Sequence, residues 1–98
     1  MYIKIHNSYR LVVAICDSDI LGKKFEEGKM QLDVRENFYK GNDVSENEAI
    51  KIMQVQKRED ATFNIVGKNS ISAALKAGII SEEAVGHVSK IPFALVLL

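Results

Sequence analysis

Thr62-Phe63-Asn64-Ile65-Val66-Gly67-Lys68-Asn69-Ser70-Ile71-Ser72-Ala73-Ala74-Leu75-Lys76-Ala77-Gly78 decides the fold class. It reads as a buried strand, a glycine turn and a short amphipathic helix. Phe63, Ile65 and Val66 form a brief apolar run with β-branched members, the pattern of a central strand. Gly67 interrupts the run. Ile71, Ala74 and Leu75 then fall at i, i+3 and i+4, one face of a helix. Asn69 or Ser70 is placed to cap that helix, and Gly78 to stop it in the left-handed region.

Upstream, Ile3 and Ile5 alternate with Tyr2, Lys4 and His6 as a half-buried strand. Asn7-Ser8 suits a two-residue hairpin loop, because asparagine tolerates positive φ. A second strand over residues 9–16 is apolar on both faces, which places it inside a sheet. Asp17 is positioned to cap a single helical turn that Gly22 ends. Residues 23–29 are charged and contain Gly28, so they read as a loop. Met30, Leu32 and Val34 alternate as a third strand, and residues 36–42 read as a loop with two aromatics. Ser45-Glu46-Asn47-Glu48 is a capping box opening a helix to about Gln56, with Ala49, Ile50, Ile52 and Met53 inward and Val55 at the margin of that face.

Downstream of the central stretch, Ser81-Glu82-Glu83 starts another short helix and Gly86 ends it. Ile91 precedes a proline and is therefore extended, and residues 93–98 form the last strand. These elements predict one α+β domain: a mixed sheet with an N-terminal hairpin and two to three short helices packed on one face. The unit from Phe63 to the C-terminal strand is expected to supply a parallel pair through a right-handed crossover. The expected core is Ile5, Leu11, Val13, Ile15, Leu32, Ile50, Met53, Ile65, Leu75, Ile79, Val88 and Leu95.

At 98 residues the chain is the size of one domain. A lone cysteine forms no internal disulfide, and the N-terminal residues carry no uninterrupted apolar stretch of the signal-peptide kind. A reducing, cytoplasmic setting without membrane insertion is expected. Thirteen basic and thirteen acidic residues leave a formal net charge of zero, so bulk charge recruits neither nucleic acid nor membrane. Any basic face has to be assembled by folding.

Several short patterns recur in a known order: Ala14-Ile15-Cys16-Asp17, Leu21-Gly22-Lys23, Phe38-Tyr39-Lys40-Gly41, Asn64-Ile65-Val66-Gly67 and Ile91-Pro92-Phe93-Ala94. Together they resemble a small archaeal family catalogued as domain of unknown function 424, over nearly the whole chain. The resemblance implies a stand-alone archaeal cytoplasmic α+β domain and assigns no activity. Where the family pattern reads Pro-His-Ala near the C-terminus, this chain has Phe93 between Pro92 and Ala94.

Three stretches carry candidate chemistry. Cys16 and Asp17, with Asp19 nearby, form a possible functional corner, but a structural zinc site needs four ligands and no such set is spaced for it. No metal or cofactor is expected, and the plain reading is a buried thiol and a capping carboxyl. Gly67, Lys68, Asn69 and Ser70 lie where a helix start offers N–H groups to an anion. The segment lacks the P-loop pattern, so its plain reading is a strand-to-helix turn. Phe38 is assigned to packing, whereas Tyr39 is left open as a stacking residue beside Lys40.

No acid–base or nucleophile constellation is present in the sequence, so a binding module is preferred over an enzyme. The expected partner is RNA or a ribonucleoprotein, in a role related to translation. It would be met by Lys23, Lys24, Lys29, Lys40 and Lys68 around Tyr39, if folding gathers their loops. The alternative is a phosphate-containing ligand, bound or turned over at the turn from Gly67 to Ser70. A homodimer through an exposed C-terminal strand is a further option.

Overall fold

In the computed structural model, which describes residues 1–97, the chain opens with the expected hairpin. Strands β1 (Tyr2–Asn7) and β2 (Leu11–Cys16) pair antiparallel from Tyr2 opposite Cys16 to Asn7 opposite Leu11. Asn7 is thus a strand residue, and the loop is residues 8–10 rather than Asn7-Ser8. A 3-10 turn (Ser18–Ile20) leads to β3 (Lys24–Glu27) and β4 (Met30–Asp33). These two pair with each other as a separate two-stranded sheet. The expected loop over residues 23–29 is therefore half of a hairpin. Gly28, at φ +61°, supplies the turn that the charged composition obscured.

A four-residue helix α1 (Glu36–Tyr39) occupies the expected aromatic loop. The two-residue strand β5 (Asn42–Asp43) follows, then α2 (Glu46–Arg58). The capping box of α2 is complete: Ser45 Oγ accepts from the Glu48 N–H, and a Glu48 carboxyl oxygen accepts from the Ser45 N–H. Strand β6 (Thr62–Val66) and helix α3 (Lys68–Lys76) realise the central stretch. A second 3-10 turn (Glu82–Ala84) precedes β7 (Gly86–Val88) and β8 (Ile91–Val96). Leu98, assigned to the last strand by sequence, lies outside the described residues.

The main sheet runs β5-β1-β2-β6-β8-β7. It is mixed, as expected, but the parallel pair is β2 with β6, whereas β6 and β8 run antiparallel. The reason is that α3 and the following turn return the chain through β7, whose tight turn at Ser89 and Lys90 reverses it into β8. Strand β8 lies between β6 and β7, and β7 pairs with its first half only, from Ile91 to Phe93.

Period-2 alternation sends β2 into two apolar clusters. Val13 and Ile15 face Ala49, Met53, Ile71 and Ala74 of α2 and α3. Ala14 and Cys16 face Val34 and Tyr39 beneath the β3–β4 hairpin and α1. Helices α2 and α3 are thus the expected two helices on one face, and α1 and the small hairpin back the opposite side. Val13, Ile15, Met53, Ile65, Ile79 and Val88 of the expected core are buried, and Leu11, Leu32, Ile50 and Leu75 are half-buried. Ile5 and Leu95 are 42% and 55% exposed. They fail as core residues because Ile5 opens onto a groove beside Ile52 and Val55 of α2 and no layer covers that point of β8.

Candidate functional site

Parallel strands β2 and β6 end side by side at Cys16 and Val66, and the chain leaves both at one edge of the sheet. In mixed and parallel sheets such a carboxyl edge is where clefts form. The Asp17 N–H donates to the Val66 carbonyl, and the Gly67 N–H donates to the Pro92 carbonyl, which ties β2, β6 and β8 together there. Asp17 is 4% exposed. Its side chain does not cap its own 3-10 turn, the role expected from sequence. It reaches across to α3, where one carboxyl oxygen accepts from the Ser70 N–H and Ser70 Oγ, both at 2.8 Å, and the other from the Asn69 N–H at 3.1 Å. The cap of α3 is therefore Asp17, from 52 and 53 residues away, in place of Asn69 or Ser70.

Gly67 makes this approach possible. It sits at φ +108°, and a Cβ there would lie 2.4 Å from the Asp17 carboxyl carbon. The N–H groups that the sequence offered to a phosphate are occupied by the chain's own carboxyl. An anion at the turn from Gly67 to Ser70 would have to displace Asp17.

Beside this clasp lies a cleft of about 270 Å³, lined by Asp17, Asp19, Ile20, Gly67, Lys68, Lys90, Ile91 and Pro92. Lys68 and Lys90 come from different elements and meet in it. Lys90 was not singled out by sequence; the positive φ of Ser89 and Lys90 marks a tight reversal that only the β7–β8 pairing makes visible. That reversal is fastened to the small hairpin, since the Ser89 N–H donates to the Glu27 carboxyl and Ser89 Oγ donates to the Glu26 carbonyl, both at 2.7 Å. Lys23, Lys24 and Lys29 belong to the same hairpin, at its base and its turn, and all are exposed. Lys24 pairs with Glu26 at 3.8 Å on the surface.

Lys40 and Tyr39 do not join them. Lys40 follows α1, beside the β1–β5 edge of the sheet. Tyr39 is 7% exposed inside the second cluster and has no face free for stacking. Tyr39, left open as a stacking residue, is the buried one, and Phe38 packs as expected, at the edge of the same cluster. Phe38 is the half-buried one and stacks on His6 at 4.6 Å between centroids. The four residues of α1 turn Tyr39 inward, a rotation that a loop assignment could not foresee.

Cys16 is fully buried. Burial, with Asp17 and Asp19 adding to it, pushes its thiol from 9.0 up to about 12. Burial, then the neighbouring Cys16, pushes the Tyr39 hydroxyl from 10.0 up to about 12. Neither is a ready nucleophile near neutral pH. Both groups hold their protons longer folded than unfolded. Their contribution to stability is complete below the unfolded values and is lost as pH rises through the window from about 9 to 12. Stability should therefore fall above pH 9 through Cys16 and more steeply above pH 10 as Tyr39 joins it, by up to about 1.4 kcal/mol per pH unit for each group, and the thermal midpoint with it. Circular dichroism melts from pH 8 to 11 test this. Cys16→Ala should flatten the profile, and an unchanged slope would contradict the assignment.

Among the described residues, no group of three His, Cys, Asp or Glu side chains is arranged to hold a metal ion. No helix there is long and apolar enough to cross a membrane.

The crystal structure of an uncharacterized conserved protein from Methanopyrus kandleri superposes on this chain with a TM-score of 0.88 and 25% identity, covering 97% of this chain and 88% of the other. No curated protein matches the chain. The profile of the family described as protein of unknown function DUF424 matches residues 6–98. With the profile spanning almost the whole length, and the archaeal structure repeating the same fold, the chain belongs to the DUF424 family.

Proposed function

We propose that the protein is a non-enzymatic cytoplasmic module of archaeal RNA metabolism, related to translation, that binds RNA or a ribonucleoprotein through phosphate contacts. The observation that carries the reading is the convergence of Lys68 and Lys90 in one cleft, with the hairpin bearing Lys23, Lys24 and Lys29 bonded to the same reversal. Lys68 and Lys90 from two separate elements line one cleft, and the hairpin that carries the other three lysines is bonded to the same reversal through Glu26 and Glu27, although the net charge is zero. The Methanopyrus relative supports the archaeal setting. With Tyr39 buried, recognition rests on backbone charge rather than base stacking, so little sequence preference is expected.

Binding of labelled single-stranded RNA at a series of salt concentrations tests this. The double variant Lys23→Ala/Lys24→Ala should bind more weakly and reduce the slope of log affinity against log salt by ~0.7 for each phosphate it no longer neutralises. Lys57→Ala should bind as wild type, because Lys57 donates to the Gly78 carbonyl at the far end of α3. Absence of binding at low salt, together with no ribonuclease-sensitive partner in a lysate pull-down, would sink the RNA reading. A phosphorylated metabolite that raises the melting temperature would then bring the small-ligand reading forward.

A further inference from the structure

We propose that the outer edge of β1, from Ile5 to Asn7, is a docking site for an extended protein segment in which apolar and acidic residues alternate. This surface is separate from the lysine cleft and does not depend on the RNA reading.

The edge follows from the hydrogen-bond parity of β1. Met1 and Val44 exchange main-chain bonds, the Val44 N–H donating to Met1 and the Met1 amino group donating to Val44. In an antiparallel ladder the main-chain groups of alternate residues point to opposite neighbours. Met1, Ile3, Ile5 and Asn7 therefore turn toward β5, and Tyr2, Lys4 and His6 toward β2. Strand β5 is only two residues long and pairs with Tyr2 and Ile3 alone. The main-chain N–H and C=O groups of Ile5 and Asn7 consequently have no partner among the described residues. Gly41 passes so close to Ile3 that a Cβ would meet its carbonyl oxygen, and the residues before it form α1 instead of lengthening β5. An unpaired stretch of this kind accepts a further strand about 4.8 Å away.

The surroundings specify the occupant. A groove of about 300 Å³ is lined by Ile3, Lys4, Ile5, Gly41, Asn42 and Ile52. It shares Ile5 and Ile52 with an adjoining groove of about 290 Å³ that adds Lys51, Val55 and Gln56. Ile5 and Val55 are 42% and 47% exposed there. A strand laid beside β1 would point alternate side chains to its two faces. On the α2 face they meet Ile5, Ile52 and Val55, which suits aliphatic residues. On the α1 face they meet Lys4, whose ammonium donates to the Asn37 carbonyl and keeps donors to spare. Lys4 and Lys51 are the charged residues lining the two grooves, and no carboxylate lines either. A second copy of this chain, docked edge to edge about a two-fold axis, would bring four lysines to that interface, so charge favours a different, acidic partner.

The probe is a fluorescein-labelled heptapeptide alternating valine and glutamate. It is compared with a valine–lysine peptide and with a fully backbone N-methylated valine–glutamate peptide. The expected result is binding of the first alone, with slowed hydrogen exchange at the Ile5 and Asn7 amides. Asn7→Pro removes an N–H that the fold leaves unused and should weaken binding about tenfold or more without lowering the melting temperature. Lys4→Glu should weaken the acidic peptide and improve the basic one. The proposal is overturned if the wild type binds none of the peptides or binds them equally. It is also overturned if binding leaves the Ile5 and Asn7 amides unprotected, or if the free protein sediments as a dimer with those amides already protected.

Discussion

Gly67→Ala will destabilise the protein by about 3–5 kcal/mol, a large share of the total for a domain of this size. Two costs add. A side chain at φ +108° pays for a backbone region it seldom adopts, about 1–3 kcal/mol. The new methyl also lies where the Asp17 carboxyl is, 2.4 Å from its carbon, so Asp17 must withdraw from Asn69 and Ser70. Gly78→Ala is the control. Gly78 also has positive φ, +74°, but a Cβ there meets nothing within 4 Å. It should cost about 1 kcal/mol from the backbone alone. Urea titrations with unchanged m-values would separate the two variants. If they lose the same stability, the close approach of Asp17 is not what requires glycine at position 67.

Removing the carboxyl itself has the second largest expected effect. Asp17→Ala leaves the Ser70 N–H and hydroxyl without their acceptor at a fully buried position, and the Asn69 N–H without its own. Unsatisfied buried donors cost about 1–3 kcal/mol each, less than additively within one cluster, so the expected loss is about 2–4 kcal/mol. Asp17→Asn keeps one acceptor oxygen and should fall between. The two predictions are linked, because Gly67→Ala already evicts Asp17. The double variant should lose at least about 1 kcal/mol less than the sum of the singles. Strict additivity would mean that the two residues act independently, which their contact contradicts. Opening should begin at the carboxyl edge, and amide exchange at Asn69 and Ser70 should accelerate first in Asp17→Ala.

These results bear on the functional surface, because the clasp holds the start of α3 and with it Lys68. The Lys90 reversal is held separately, by Ser89 on the small hairpin. On the proposed RNA reading, a variant with a loosened clasp should retain part of its binding if phosphate contacts are spread over the hairpin and the cleft, whereas removing the exposed hairpin lysines should weaken binding with little change in stability.

Local chemistry in the sequence was enough to determine the elements whose cause is local. The Ser45–Glu48 capping box, the apolar run of β2 on both faces and the strand–glycine–helix unit from Thr62 to Lys76 all form as their residue types require. Each depends on groups within a few residues of one another, so periodicity and capping preferences suffice. Family membership was legible for a related reason, since ordered short patterns survive along the chain.

Tertiary structure decided everything that depends on long-range pairing. The parallel partner of β2 is β6, fixed by a long crossover that no local signal encodes. Tyr39 turned inward because the underside of the sheet needed filling beside Val34 and Cys16. Asp17, read as the cap of its own turn, found donors on α3 because β2 and β6 end together and Gly67 leaves room for its carboxyl. Lys90 entered the cleft, and the edge at Ile5 and Asn7 stayed open, through strand order and strand length. Hydrophobic patterning fixes which face of an element is buried but not which element covers it, and a functional surface is assembled from that second choice.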